Sequence, residues 1–290
     1  MNLNEKSRLK ATIDTALTDF QGIQGSNPLL STIFKLFSEL QMITLMLRCS
    51  FDSRDIENDS TTEFWDELSL YLSYRKFNDS FLDAPTITTL TLLIFVTIIL
   101  GLLISNLVLY WRNQKSYRFV YSVKGILDFH LNITLLLTLQ ACLLINKTQT
   151  TAESSGGSYY GMAIATIVLS LCLALFRAIF VSDYLSLKYY FASKDSKIEI
   201  YTLMYKTVDV VISVFITNIQ VSAWLRIVAG FLYMFENTRR YRRLPYHNIE
   251  GFKALLVSAS IKYSCLISAL VIVIGDISPT FAPYVIAILS

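Results

Sequence analysis

Between Thr86 and Trp111 the chain reads TITTLTLLIFVTIILGLLISNLVLYW, 26 consecutive residues without a charge. As a helix rising about 1.5 Å per residue, this run reaches about 39 Å, enough to cross a hydrocarbon core of about 30 Å with tilt. Pro85 just before it suits a helix N-terminus, and Tyr110 and Trp111 at its end suit the headgroup level of a bilayer. Apolar residues recur elsewhere in blocks of about twenty, where a soluble core would show short periodic runs broken by charge. The whole chain of 290 residues is 53% hydrophobic and 16% charged, with a mean hydropathy of +0.49. These values exclude a disordered chain and argue against a water-soluble domain.

Further blocks follow the same rule. Val120–Ile145 carries Lys124, Asp128 and His130 at one end and is clean beyond them; Tyr159–Ser182 holds Arg177 as its only charge. Ile198–Glu236 is nearly forty residues long, too long for one crossing, and its weakest point, Asn218-Ile219-Gln220, predicts a tight helical hairpin. Ile249–Gly275 is apolar apart from Glu250, Lys253 and Lys262, and the closing TFAPYVIAILS is too short to cross as a helix. Near the start, Pro28–Cys49 reads as a first span or an interfacial helix. Lys35 and Glu39 lie four apart on one face and Leu36, Leu40, Ile43 and Leu47 on another. The expected fold is all-α, a multi-pass transmembrane helical bundle of about six spans with an incomplete terminal hydrophobic segment. Residues 1–27 form an N-terminal segment, 28–49 the first span or interfacial helix, 50–85 an acidic loop, and 86–290 the multi-span membrane domain.

Loop charges orient this bundle. If Pro28–Cys49 spans, one set of non-membrane segments holds fourteen Lys and Arg residues, and the other holds Arg54, Arg75, Lys76 and Lys147 alone. The positive-inside rule places the first set, and with it the N-terminus, in the cytosol. The first 28 residues contain no apolar run ahead of a small-residue cleavage site, so the first span is expected to act as the targeting signal. The 50–85 loop is expected to stand exposed on the lumenal or extracellular face. It offers Asn58-Asp59-Ser60 and Asn78-Asp79-Ser80 as glycan acceptors and is the favoured place for an external contact. A net charge of +3 is too small an excess to indicate nucleic acid. Cys49, Cys142, Cys172 and Cys265, without CxxC spacing, form neither a disulfide framework nor a zinc site.

Charges inside spans are costly and therefore face protein or water. Asp128, His130, Lys206, Asp209 and Lys262 form a candidate intramembrane polar network, as an ion relay or as structural bridges. In the structural reading Lys206 pairs with Asp209 or Asp128, while Lys124, Arg177 and Lys253 snorkel to headgroups. Arg239, Arg240, Arg242 and Arg243, beside a span, are candidate contacts for anionic lipid at about 1 kcal/mol per basic residue. Gly101 and Gly230 are isolated within their spans, without GxxxG spacing. No enzyme motif emerges. His247-Asn248-Ile249-Glu250 lacks the second histidine of a metalloprotease, and neither GxSxG nor a Walker loop is present. No metal or cofactor is called for.

Three segments carry a family resemblance. FWDELSLYLSYRKFN (Phe64–Asn78), the amphipathic FKLFSELQMITLML (Phe34–Leu47) and the basic RRLPYHN (Arg242–Asn248) opening a span occur in an order that covers most of the chain. Together they resemble the N-terminal membrane region of large ciliate and amoebozoan proteins related to tiny macrocysts protein B, a family often associated with PAS sensory domains. The resemblance implies a membrane-embedded input region whose signalling modules lie C-terminal to it, and thus a chain that is a fragment or a shortened paralogue. It assigns no functional residue. The expected function is non-enzymatic, a membrane anchor or sensory module with the lipid bilayer and a helix-packing or signalling protein as partners. The alternative is a small transporter or channel using the five intramembrane polar residues. An intramembrane acyl or lipid transferase, with His130 or His247 acting, is the third class.

Overall fold

The computed structural model describes residues 3–22, 28–51, 60–112, 114, 116–151, 157–180, 197–242 and 249–275. Arg243, His247, Asn58 and the terminal hydrophobic segment lie outside the described residues. The elements run α1 (Leu3–Gly22), α2 (Pro28–Phe51), α3 (Ser60–Leu72), a 3-10 turn at Arg75–Phe77, α4 (Asn78–Asp83), α5 (Pro85–Trp111) and α6 (Tyr117–Phe129). A π-helical turn at His130–Thr134 leads into α7 (Leu135–Thr151), followed by α8 (Gly157–Phe180), α9 (Lys197–Phe215), α10 (Ile219–Tyr241) and α11 (Ile249–Gly275). Among the described residues the fold is all-α. Among the described residues, four helices are long and apolar enough to cross a membrane: α5, the continuous helix from Tyr117 to Thr148, Tyr159–Phe180 of α8, and α11.

Local chemistry sets the breaks. Pro85 opens α5 at its first turn, where its missing N–H costs nothing. The hairpin between α9 and α10 turns at residues 216–218, slightly before the expected point, because Asn218 is the N-cap of α10 and its Oδ1 accepts from the Val221 amide at 3.1 Å. The helix from Tyr117 to Thr148 is interrupted by the π turn, in which the Leu135 amide bonds the His130 carbonyl five residues back. Asn132 supports this turn by donating Nδ2 to the Asp128 carbonyl at 2.9 Å.

The long helices form a circuit. In order, α5, α8, α7, α9, α10, α11 and α2 each pack on the next, and α2 returns through the π turn and α6 to α5. The core holds Met42, Leu45 and Met46 of α2, Leu135 and Leu139 of α7, and Leu266 of α11, all at most 1% exposed. A second cluster centres on Val96, Ile99, Val120 and Leu127 between α5 and α6.

The segment from Ser60 to Ala84 is not the freely exposed loop the sequence suggests. Arg48 of α2 pairs with Asp66 of α3, and Gln140 of α7 donates to Asn78 Oδ1 at 3.1 Å. The amide oxygen of half-buried Asn78, an expected glycan acceptor, is therefore held against α7. Tyr74, with φ of 61°, sits in the left-handed region that non-glycine residues rarely enter. Its hydroxyl donates to the Ile133 carbonyl of the π turn at 3.2 Å, and its burial raises the phenol pKa. At the other end Tyr110 is 3% exposed and donates to Asp19 of α1 at 2.8 Å. Tyr110, expected at the headgroup level, is covered by α1, where Asp19 supplies the acceptor its hydroxyl needs.

Gly230 of α10 lies against Leu266 of α11, and a Cβ built there would stand 2.6 Å from Leu266 Cδ2. Leu266 is fully buried and has little room to yield. Gly230→Val is expected to lower the unfolding midpoint, by about 1–3 kcal/mol in stability, through overpacking. Adding Leu266→Ala should restore most of the loss, as read by thermal unfolding in detergent. Gly101, by contrast, meets nothing within 4 Å.

Candidate functional site

Among the described residues, most of the predicted polar residues gather with buried charges of other helices into three centres. The first joins α6, α8 and α9. Arg177 of α8 donates Nε to Asp128 Oδ1 at 2.5 Å and Nη1 to Glu199 Oε2 at 2.6 Å. Arg177 is 3% exposed and Lys124 is fully buried, so neither snorkels to headgroups as their sequence positions suggest. The reason is geometric: α8 turns Arg177 toward two carboxylates inside the bundle, where a guanidinium forks between both. Lys253 is exposed, in keeping with the snorkelling expectation.

The second centre joins α2 to α11 and α9. Glu39 accepts from Lys262 and, at 2.8 Å, from Ser258 Oγ. Lys262 Nζ also lies 5.9 Å from the Tyr233 ring centre, and Tyr233 stacks on Tyr205 at 5.1 Å. Lys206 of α9 donates to Ser38 Oγ and to Gln41 Oε1 of α2, both at 2.9 Å. Lys206 therefore bridges to neutral oxygens, correcting the expected pairing with Asp209 or Asp128.

The third centre closes the α9–α10 hairpin. Arg226 Nε donates to Asp209 Oδ1 at 2.7 Å, and Arg226 Nη2 to the Leu45 carbonyl of α2 at 3.1 Å. The two side chains are 0% and 1% exposed. Asp209 lies six residues before the end of α9 and Arg226 seven after the start of α10, similar depths of about 9–10 Å along their helices. Taking the turn as one membrane face, this is about a third of the way into a core about 30 Å thick.

His130 is fully buried within the π turn. Its Nδ1 shares a hydrogen bond with Thr134 Oγ1 at 2.9 Å and its Nε2 one with Ser170 Oγ at 3.0 Å. It belongs to the α6–α8 contact and not to a common path with Lys206, Asp209 or Lys262. Between the first two centres lies a void of about 10 Å³, bordered by Lys35, Ser38, Asn132, Glu199, Thr202 and Lys206. Among the described residues no three His, Cys, Asp or Glu side chains gather as a metal site requires. The four cysteines are free thiols.

Among the basic residues at the end of α10, Arg239 and Arg242 are exposed. Arg240 turns inward instead. It is 8% exposed, its guanidinium lies 4.8 Å from the Tyr201 ring centre, and Nη2 donates to the Tyr201 hydroxyl at 3.2 Å. An aromatic neighbour inside the bundle thus takes the cation that the sequence offers to lipid.

Sequence reasoning missed Glu39, Arg226 and Glu199 as members of these centres and placed Arg177 at the headgroups. The hairpin symmetry of Asp209 and Arg226 was a usable signal, since residues equidistant from a tight turn share a depth. Asp209→Ala leaves Arg226 buried without its carboxylate and is expected to destabilise the chain by about 3–5 kcal/mol. Combining Asp209→Leu with Arg226→Met should recover most of that loss in thermal unfolding. An Asp209→Ala midpoint equal to that of the parent would show that the pair does not hold the hairpin.

No protein-family model matches the sequence, and no curated protein or solved structure is significantly similar to it.

Proposed function

We propose that the chain is a multi-pass integral membrane protein in which α2, α9 and α10 cross alongside the four apolar helices, giving seven crossings. Its closed, ion-paired interior then serves a non-enzymatic membrane anchor or sensory module. The observation that carries this reading is the inversion of α2. Leu29, Leu30, Ile33, Leu36 and Leu40 are exposed, whereas Lys35, Ser38, Glu39 and Gln41 are buried. An interfacial helix would turn those polar groups to water and its leucines to the bundle. The same inversion holds for α9, with Met204, Val208 and Phe215 outside and Lys206 and Asp209 inside. In α10, Leu225, Val228, Leu232 and Phe235 are outside and Arg226 is inside. Such stripes would be a large exposed apolar patch in water and are solvated in lipid.

Cysteines placed at Lys10 and Glu67, one on each side of α2, test the first point. In sealed membranes a membrane-impermeant maleimide is expected to label one position from outside and the other only after permeabilisation. Labelling of both from the same side would remove α2 from the crossings.

The anchor or sensory role is favoured over transport because Asp128, Asp209 and the Lys206 and Lys262 pair fall into three separate centres, each closed by its own ion pairs or hydrogen bonds, with His130 apart from all three. The sensory side of the role draws on the resemblance of segments 34–47, 64–78 and 242–248 to the tiny macrocysts protein B membrane region. In that reading the partners are lipid and a signalling protein, with the N-terminus cytosolic. Proteoliposomes of the full chain are expected to pass ions no faster than empty vesicles. A flux abolished by Asp209→Asn, with expression unchanged, would replace the anchor by the transporter or channel.

A further inference from the structure

The void between α2, the π turn and α9 has a charge imbalance that its volume helps to interpret. Its carboxylates are engaged: Glu199 by Arg177, and Glu39, one turn from Lys35, by Lys262 and Ser258. Its two lysines are not matched by further acids. Lys206, 2% exposed, gives two of its three N–H groups to neutral oxygens. Lys35, 8% exposed, makes no hydrogen bond and no ion pair within 4 Å among the described residues. The void's own lining holds Lys35 and Lys206 against Glu199 alone, one cation more than the acids, and Glu199 is already taken by Arg177. Ser38 accepts from Lys206 and so keeps its own O–H available to donate.

We infer that this void is an anion site whose occupant is a single halide ion of the chloride class, held between the Lys35 and Lys206 ammonium groups with the Ser38 hydroxyl as a neutral donor. A volume of about 10 Å³ matches a single particle near the size of a water molecule, the scale of one monatomic anion. A water molecule would accept the spare N–H groups but leave the excess charge buried and uncompensated, a costly state in a low-dielectric interior. A metal cation would add to the excess. Because Lys35 belongs to α2 and Lys206 to α9, the ion ties the first long helix of the bundle to the hairpin. The inference stands whether the bundle serves as an anchor or as a transporter.

The test uses the full chain in nanodiscs of neutral lipid, unfolded thermally at constant pH and ionic strength in chloride, bromide or gluconate. The midpoint is expected to rise saturably with chloride and bromide and not with gluconate. Lys206→Met and Lys35→Met should each abolish that rise, while Lys253→Met, at an exposed position, should keep it. Equal midpoints in chloride and gluconate, or a full chloride response in Lys206→Met, would overturn the site. Should the lysine variants fail to fold, the chloride-35 NMR line of the parent protein decides. Broadening beyond that of empty nanodiscs, competed away by bromide, supports the site, and its absence overturns it.

Discussion

A charged side chain at the centre of a bilayer costs about 2.5–3.5 kcal/mol on insertion scales, and it is tolerated where protein supplies its partner. With α2, α9 and α10 crossing as proposed, that requirement organises this bundle. Between helices in lipid there is little hydrophobic force to draw them together, since acyl chains are as apolar as leucine. Packing and polar contacts must set the arrangement, and here three ionic centres fix how α2, α6, α8, α9, α10 and α11 are rotated about their axes. Glu39 can meet Lys262 only if α2 and α11 face each other along their polar edges. Asp209 meets Arg226 only in the observed hairpin register, and Arg177 reaches Asp128 and Glu199 only from between α6 and α9. The apolar stripes on the outer surface follow from these rotations.

The same centres explain why α2, α9 and α10 are less apolar than the other long helices. Composition averages over the whole circumference, whereas cost depends on direction. Lys35 and Glu39 lower the mean hydropathy of α2, yet the side of α2 that leaves the bundle is Leu29, Ile33, Leu36 and Leu40. A helix carrying several charges can therefore be as compatible with lipid as α5, provided every charge lies within one inward sector.

Helix positions were largely legible in the sequence because hydropathy is a one-dimensional property. Thr86–Trp111 became α5 almost residue for residue, and the long Ile198–Glu236 stretch broke near Asn218 as its polarity predicted. Partners were not legible, because they depend on which helices become neighbours. Spacing set Lys206 beside Asp209 and Lys35 beside Glu39, but Lys206, Asp209 and Glu39 each found their strongest contact on another helix, and Lys35 keeps only a longer-range attraction to Glu39. Arg177 and Lys124 looked like snorkelling residues because both lie toward the ends of their apolar runs. A side chain long enough to reach a headgroup is also long enough to reach a neighbouring helix. The folding of Ser60–Ala84 onto the bundle was equally hidden, since its links to Arg48, Ile133 and Gln140 are single contacts distant in sequence.

The π turn at His130–Thr134 also sets the angular phase of everything that follows it. It acts as one residue added to an otherwise regular helix, and each added residue turns the downstream part by about 100°. Leu139, Cys142 and Ile145, all completely buried, owe their inward direction to that offset. A chain shortened by one residue here would keep its length, charge and hydropathy almost unchanged while presenting a different side of α7 to α8 and α9. For this segment, a gap of a single residue in an alignment of related sequences carries more structural meaning than many substitutions.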